Sequence, residues 1–356
     1  MISLLPSLLV LAHATSGPSE VERTWVLMGT VARIRVVATD RSAALAASET
    51  ALAELQEVEA RLSTWHSDSE LSRLNHRPAD GEHVMSPELA EDLATVRWCW
   101  QMTQGAFDPT VGALVDAWGL RTGGRVPTRR EIAAAREASG MERLSWRAGS
   151  IRRPNGLRLE EGGFGKGSGL RAVMRALASD PKVISAELDL GGQLAYTGES
   201  GPWTVSVAAP NDRTRPVVAL TLDAGSLATS GNSERGLEIA GRRYSHLLDP
   251  RTGHPTEDFG SLTVWTADPL QADCLATGLY VLGPDAALEW AEANSGVEVL
   301  VLESRVREES TRPGRIRVRA TTGLRHRLRP LDEQLTVLFP EPPAPRPHVG
   351  LQTSLQ

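Results

Sequence analysis

From residue 183 onward the chain is dominated by short runs with strand character. These lie at 186–190, 203–208, 217–222, 262–266 and 297–302, and one apolar helical run at 272–282 interrupts them before Gly283-Pro284. The first half reads differently. Residues 31–37 alternate Ile34 and Val36 against Arg33 and Arg35, the pattern of a half-buried strand. Residues 42–62 carry Leu45, Leu52, Leu55, Val58 and Leu62 at helical spacing, and 87–102 and 129–139 read as two further helices. Residues 315–321 (RIRVRAT) alternate strictly and predict a last strand. No strand–helix–strand unit recurs at a fixed interval, which disfavours a doubly wound parallel sheet. The expected fold is α+β, with mixed, largely antiparallel sheets and packed helices. With 356 residues, 41% of them apolar, the chain can bury a sizeable core.

The two ends read as separate from that body. Residues 2–14 form an apolar run closing on Ala12-His13-Ala14, a small-x-small cleavage pattern, although no basic residue precedes Arg23. Export is the expectation, to the periplasm or cell envelope, with residues 1–14 as signal peptide and 15–330 as the folded domain. No other segment approaches the apolar length of a membrane span. Residues 331–356 are Pro-rich (FPEPPAPRP) and are expected to form a flexible tail. Cys99 and Cys274 are too few for a disulfide framework or a zinc site. Both sit in apolar stretches and read as buried free thiols, with a single bridge as the alternative in an exported chain. A net charge of −6 excludes a protein that works by coating nucleic acid. Of the 38 basic residues only Lys166 and Lys182 are lysine, so each lysine is worth individual scrutiny.

Five patches combine glycine with polar residues. Met28-Gly29-Thr30 reads as a turn into the strand at Val31. Residues 62–71 (LSTWHSDSEL) read as a helix end, a loop and a new helix capped at Ser67 or Asp68, with Trp65 offering a flat face to a planar ring. In Gly105-Ala106-Phe107-Asp108-Pro109, Asp108 and Pro109 read as cap and first residue of a helix. Residues 160–169 (EEGGFGKGSG) hold five glycines and Lys166 just before a helix, a setting in which backbone can approach a phosphate. They match neither common nucleotide-loop fingerprint. Gly191-Gly192 has the same permissive character. The fifth patch runs through ATSG, YSHLLDPRTGHP and ADCLAT. There Asp273 and Thr277 stand at i and i+4, so one helix face carries a carboxylate and a hydroxyl. Two readings fit that pair: oxygen ligands for a hard cation such as Mg2+, or a capping Asp and a backbone-satisfied threonine. His246 and His254 taken singly read as structural.

The order MGT, STW-x-x-DSELSRLN, GAFDPTVG, GGFGKG, DLGG, ATSG, YSHLLDPRTGHP and ADCLAT resembles the ApbE family of FAD:protein FMN transferases, over about residues 24–325. The resemblance implies an Mg2+-dependent enzyme that cleaves the FAD pyrophosphate. It would pass FMN to a threonine or serine hydroxyl of a partner protein, such as an FMN-carrying electron-transfer protein, and release AMP. Carried over residue by residue, Asp273, Thr277 and the Gly163 carbonyl match the metal ligands, and His246 the histidine acting on the attacking hydroxyl. Met28, Trp65, Ala106, Phe107, Asp108, Glu160, Lys166 and Leu247 fall at FAD-contacting positions. Trp65 replaces a usual tyrosine and Glu160 a usual aspartate. Ser233 stands where an aromatic is common, and Arg171 where an aspartate is frequent. Two alternatives in the same fold are an FAD pyrophosphatase yielding FMN and AMP, and a non-catalytic flavin-binding protein.

Overall fold

The computed structural model describes residues 17–340 except 79–80, 199–200, 233–235, 240, 305–315 and 333–334. The leader expected at 1–14 and the departure at Ser233 lie outside the described residues. The frame is a nine-stranded sheet of β1 (Ser19–Leu27), β2 (Thr30–Ala38), β3 (Val183–Leu190), β4 (Gln193–Gly198), β5 (Gly225–Gly231), β6 (Gly260–Thr266), β7 (Val297–Ser304), β8 (Ile316–Ala320) and β9 (Val337–Leu338). Spatial order follows this numbering, and every pair is antiparallel except β8–β9. The expected α+β class with largely antiparallel pairing is therefore the observed one.

Among the described residues eight α-helices accompany the sheet: α1 (Arg41–Leu62), α2 (Glu70–His76), α3 (Pro87–Met102), α4 (Gly112–Trp118), α5 (Arg129–Glu137), α6 (Gly165–Ala178), α7 (Pro269–Leu282) and α8 (Pro284–Ala293). The strand β7 shows how the layers arise. Val299 and Val301 join the core under α3 and α7, while Leu300 and Leu302 join the core on the opposite face. That second face is covered by a three-stranded sheet of Trp203–Ala209, Asp212–Leu222 and Leu328–Pro330. Both faces of β7 are thus dry, and its sequence VEVLVLES is nearly continuously apolar for that reason. At the other end of the sheet only one face is covered. Ile34 and Val36 of β2 pack on α1 and α6, and Arg35 on the outer face pairs with Glu20 at 2.7 Å and Glu187 at 2.9 Å.

Several local expectations change. Strand β1 has no counterpart in the sequence reading; Glu20, Glu22, Thr24 and Val26 are exposed on one face while the residues between them are more buried, and it pairs with β2 across a two-residue turn. Ser69, not Ser67 or Asp68, caps α2, accepting from the Ser72 N–H at 3.0 Å. Gly191 and Gly192 are the positive-φ turn between β3 and β4, which accounts for both glycines structurally. Pro284 ends one helix and also opens α8 at its first turn. Past Pro330, where a tail was expected, Leu335, Val337 and Phe339 pack on the second core and Arg325 lies over the Phe339 ring at 4.4 Å. Packed structure therefore continues to about residue 340, and 341–356 lie outside the described residues. Cys99 and Cys274 are buried free thiols. Burial pushes the Cys274 thiol up, with Cys99 beside it. Among the described residues no helix is long and apolar enough to cross a membrane.

Candidate active site

The glycine-rich segment begins α6 inside itself. The N–H groups of Phe164 and Gly165 both bond the Glu161 carbonyl, at 2.9 and 2.7 Å, and the buried Phe164 ring anchors the turn. Lys166 and Gly167 consequently lie in the first turn of α6, which has no side-chain cap. The helix dipole at this N-terminus favours an anion nearby. A Cβ on Gly167 would stand 2.5 Å from the Pro269 carbonyl and 2.8 Å from the Asp273 Cβ. Glycine at this position lets α6 and α7 approach closely enough for the Gly167 N–H to reach Asp273 Oδ2 at 2.9 Å. Lys166 Nζ donates to Oδ1 of the same carboxylate at 3.1 Å.

Asp273 is 5% exposed and lies well inside α7, whose cap is Asp268. The capping reading of Asp273 thus fails, because Asp268 already accepts from the Leu270 N–H at 2.9 Å. A Cβ built on Gly163 would sit 3.4 Å from Thr277 Oγ1 and 3.1 Å from the Phe107 ring, so the Gly163 backbone borders the Thr277 hydroxyl. Gly163, Lys166, Asp273, Thr277 and Phe107 are therefore brought together. Among the described residues no group of three or more His, Cys, Asp or Glu gathers to hold a metal. The oxygen donors in the cluster are the Asp273 carboxylate and the Thr277 hydroxyl, with the Gly163 main chain beside the latter. Oxygen donors of this kind would suit a hard cation such as Mg2+ rather than a softer metal.

Lys166 supplies a compact charge whose partner is a single carboxylate oxygen. We expect Lys166→Arg to lower turnover about tenfold, or ~1.4 kcal/mol, because the guanidinium fork engages both carboxylate oxygens and displaces the Gly167 N–H. Rates measured against magnesium concentration check this, and an unchanged rate would make the lysine incidental.

Arg171, the charge-reversed position, points away from this cluster. It is buried and binds Asp268 through Nε at 2.8 Å and through Nη2, and it reaches Thr95 Oγ1 at 3.1 Å. Asp92 stands 3.8 Å from it and also accepts from Ser168 at 2.5 Å and Arg61 at 3.2 Å. The reversal thus ties α6 to the cap of α7.

His246 lies between the strand pair Leu237–Ile239 and Arg242–Tyr244 and the hairpin Leu248–Asp249 and His254–Pro255. Its neighbour Ser245 is buried, donates to Asn232 Oδ1 at 2.6 Å, and accepts from the Leu247 N–H and Thr256 Oγ1 at 3.0 Å each. Asn232 in turn reaches the Tyr280 hydroxyl on α7 at 3.5 Å. Leu247 packs on the core that contains Phe107 and Phe164. His246 and its loop are thereby linked to the helix bearing Asp273 and Thr277. The following DPRTG is architectural: the Gly253 carbonyl accepts from Trp118 Nε1 at 2.8 Å, and Asp249 holds Arg251. His254 stands edge-on to Trp118.

The other proposed flavin contacts fall in two places. Met28 occupies a left-handed backbone conformation (φ 52°) at the β1–β2 turn, and its N–H donates to Glu59 Oε1 at 2.8 Å. Its side chain lies against the first turns of α6, within van der Waals reach of a Cβ built on Gly165 or Gly169. Ala106 and Phe107 are buried. Asp108 does not cap a helix: it accepts from the Thr110 N–H and hydroxyl at 2.8 and 2.6 Å and from the Met141 N–H at 3.0 Å. Helix α4 starts later, with no side-chain cap. Burial pushes the Asp108 carboxyl up against the pull of those bonds. Trp65 is 71% exposed and Glu160 is largely buried. Arg121, which sequence reasoning missed, joins them: it lies 4.6 Å over the Trp65 ring and pairs with Glu160. Burial outweighs that attraction and pushes the Glu160 carboxyl up to about 7.

A helix N-terminus, a lysine, a carboxylate and a hydroxyl gathered between two helices of an α+β frame suit a phosphate-bearing substrate. The sequence pattern of the ApbE family matches residues 28–301. An FAD:protein FMN transferase of Vibrio cholerae is 32% identical over 313 residues, covering 84% of this chain and 92% of its own. One of Klebsiella pneumoniae is 34% identical, covering 73% and 78%. The solved flavin transferase ApbE from Vibrio cholerae superposes with a TM-score of 0.75 at 28% identity, covering 87% of this chain and 99% of its own. The Pseudomonas stutzeri flavinyl transferase ApbE gives the same TM-score and identity, covering 96% of its length. The chain belongs to the ApbE family.

Proposed function

We propose that this protein is an FAD:protein FMN transferase. The observation that carries the reading is the cluster of Lys166, Gly167, Asp273, Thr277 and Gly163 at the start of α6. Relatives named for this activity, of whose lengths the match covers 92% and 78%, support it. The substrate is FAD, whose pyrophosphate lies along the N-terminal end of α6 with Lys166 against its charge. The acceptor is a threonine or serine hydroxyl of a partner protein. Its oxygen attacks the phosphorus of the FMN half, and the bond from that phosphorus to the bridging oxygen breaks. AMP departs with the bridging oxygen, and the hydroxyl proton passes to His246, whose imidazole is suited to take it near neutral pH. Asp273, Thr277 and the Gly163 carbonyl would hold Mg2+, which supplies positive charge against the phosphate oxygens. Trp65 offers its exposed face to a flavin ring. We place the enzyme in the cell envelope, on the support of the apolar leader ending at Ala14.

Incubation with FAD, Mg2+ and a protein carrying a flavinylation threonine should add FMN to the acceptor, read by intact mass, with AMP released in equal amount. Free FMN formed at the full turnover rate with no acceptor present would replace this reading with a pyrophosphatase. No flavin product of either kind would leave a binding protein.

A further inference from the structure

Trp65 and Glu160, the two departures at flavin-contacting positions, meet at one side chain outside the pattern that identified the site. Arg121 sits in the turn that closes α4, where Gly119 adopts a left-handed conformation and the N–H groups of Thr122 and Gly124 return to its carbonyl at 2.9 Å each. Trp118, one turn back, is buried and bonded to the Gly253 carbonyl, so the turn is presented from a rigid base. From there the guanidinium lies over the Trp65 ring at 4.6 Å, donates to the Thr64 hydroxyl, and pairs with Glu160. Thr64 donates through its hydroxyl to Glu161 Oε2 at 2.5 Å and through its N–H to Oε1 at 3.2 Å. The Glu161 carbonyl accepts the first N–H bonds of α6. One planar cation therefore connects the exposed indole to the turn that starts the phosphate end of the site.

We propose that Arg121 is a positioning residue for the flavin substrate: it covers one face of Trp65 and holds the indole so that the other face receives the planar ring. A 71% exposed indole without such a partner samples several rotamers, and ring binding must then select one. Glutamate at position 160 fits the same arrangement, because its carboxylate meets the guanidinium while the ring face stays engaged with Trp65. The departures Trp65 and Glu160 are on this account one coupled unit with Arg121. The inference rests on the transferase reading, in that FAD is the ligand.

The test is FAD affinity, measured by quenching of flavin fluorescence, in wild type, Arg121→Ala, Trp65→Ala and the double variant. Arg121→Ala should weaken binding about fivefold to tenfold and raise KM for FAD, with kcat within twofold. In the Trp65→Ala background the same change should alter affinity less than twofold, because the face it arranges is gone. Arg121→Lys, which keeps charge for Glu160 without a planar stack, should fall between wild type and alanine; it also stands in if alanine fails to fold. Equal effects of Arg121→Ala with and without Trp65, or an affinity within twofold of wild type, would overturn the proposal alone. Wild-type protein that binds no FAD would overturn the transferase reading as well.

Discussion

Asp273→Asn is expected to reduce FMN transfer by roughly a thousandfold, ~4 kcal/mol of transition-state stabilisation, while the protein stays folded. The carboxylate is the one acidic side chain in the cluster formed with Gly163 and Thr277. It is 5% exposed, and Lys166 Nζ and the Gly167 N–H already orient it. Asparagine keeps the volume, and its amide oxygen still accepts from Gly167, so the α6–α7 contact survives. The lost quantity is negative charge, which a hard cation requires and a neutral amide replaces poorly. Alanine would be a less clean choice, because it strands the Gly167 N–H at a cost of about 1–3 kcal/mol. Steady-state transfer rates across a magnesium titration, paired with a thermal melt, make the measurement. Transfer within tenfold of wild type would remove Asp273 from the metal-ligand role.

Arg171→Asp is expected to destabilise this chain more than Arg171→Ala does. Arg171 is buried between Asp268, Asp92 and Thr95. Removing one partner from a buried charge pair costs about 3–5 kcal/mol, because the remaining charge loses its compensation. Aspartate would add a third carboxylate to the same buried space. Alanine should lower the melting temperature by roughly 5–10 °C, and aspartate should lower it further. Asp268 caps α7, so its loss of anchorage also loosens the helix that carries Asp273 and Thr277. Adding Asp268→Asn to Arg171→Ala should recover part of the loss, since it removes the stranded charge. Equal melting temperatures for wild type and Arg171→Asp would show that this network contributes nothing.

Local signals were read well where a single element contains them. The helix read at 87–102 is the observed α3 (Pro87–Met102), which Ser86 caps and which ends before the left-handed Gln104 and Gly105. The alternation of 31–37 likewise places β2. Asp108 shows the limit. An Asp-Pro pair looks the same whether the aspartate caps a helix or closes a turn, and the deciding partner, the Met141 N–H, lies 33 residues away. Leu335–Phe339 shows it again: a Pro-rich context suppresses helix and central strand, but it leaves an edge strand free to pair with β8.

The sequence by itself determined the kinds of element, the antiparallel character of the sheet, and the carboxylate and hydroxyl one turn apart at Asp273 and Thr277. The elements and the Asp273–Thr277 pair depend on periodicity or spacing within a few residues, and the antiparallel pairing on the absence of a recurring strand–helix–strand unit along the chain. Only the tertiary structure decided which charges meet. Lys166 and Gly167 reach Asp273 across more than a hundred residues, Arg171 meets Asp268 across 97, and Arg121 finds Thr64 and Glu160 across 57 and 39. Electrostatic partners are chosen by proximity after packing, and the packing of α6 against α7 and of the α4 turn against Trp65 leaves no local trace in the chain.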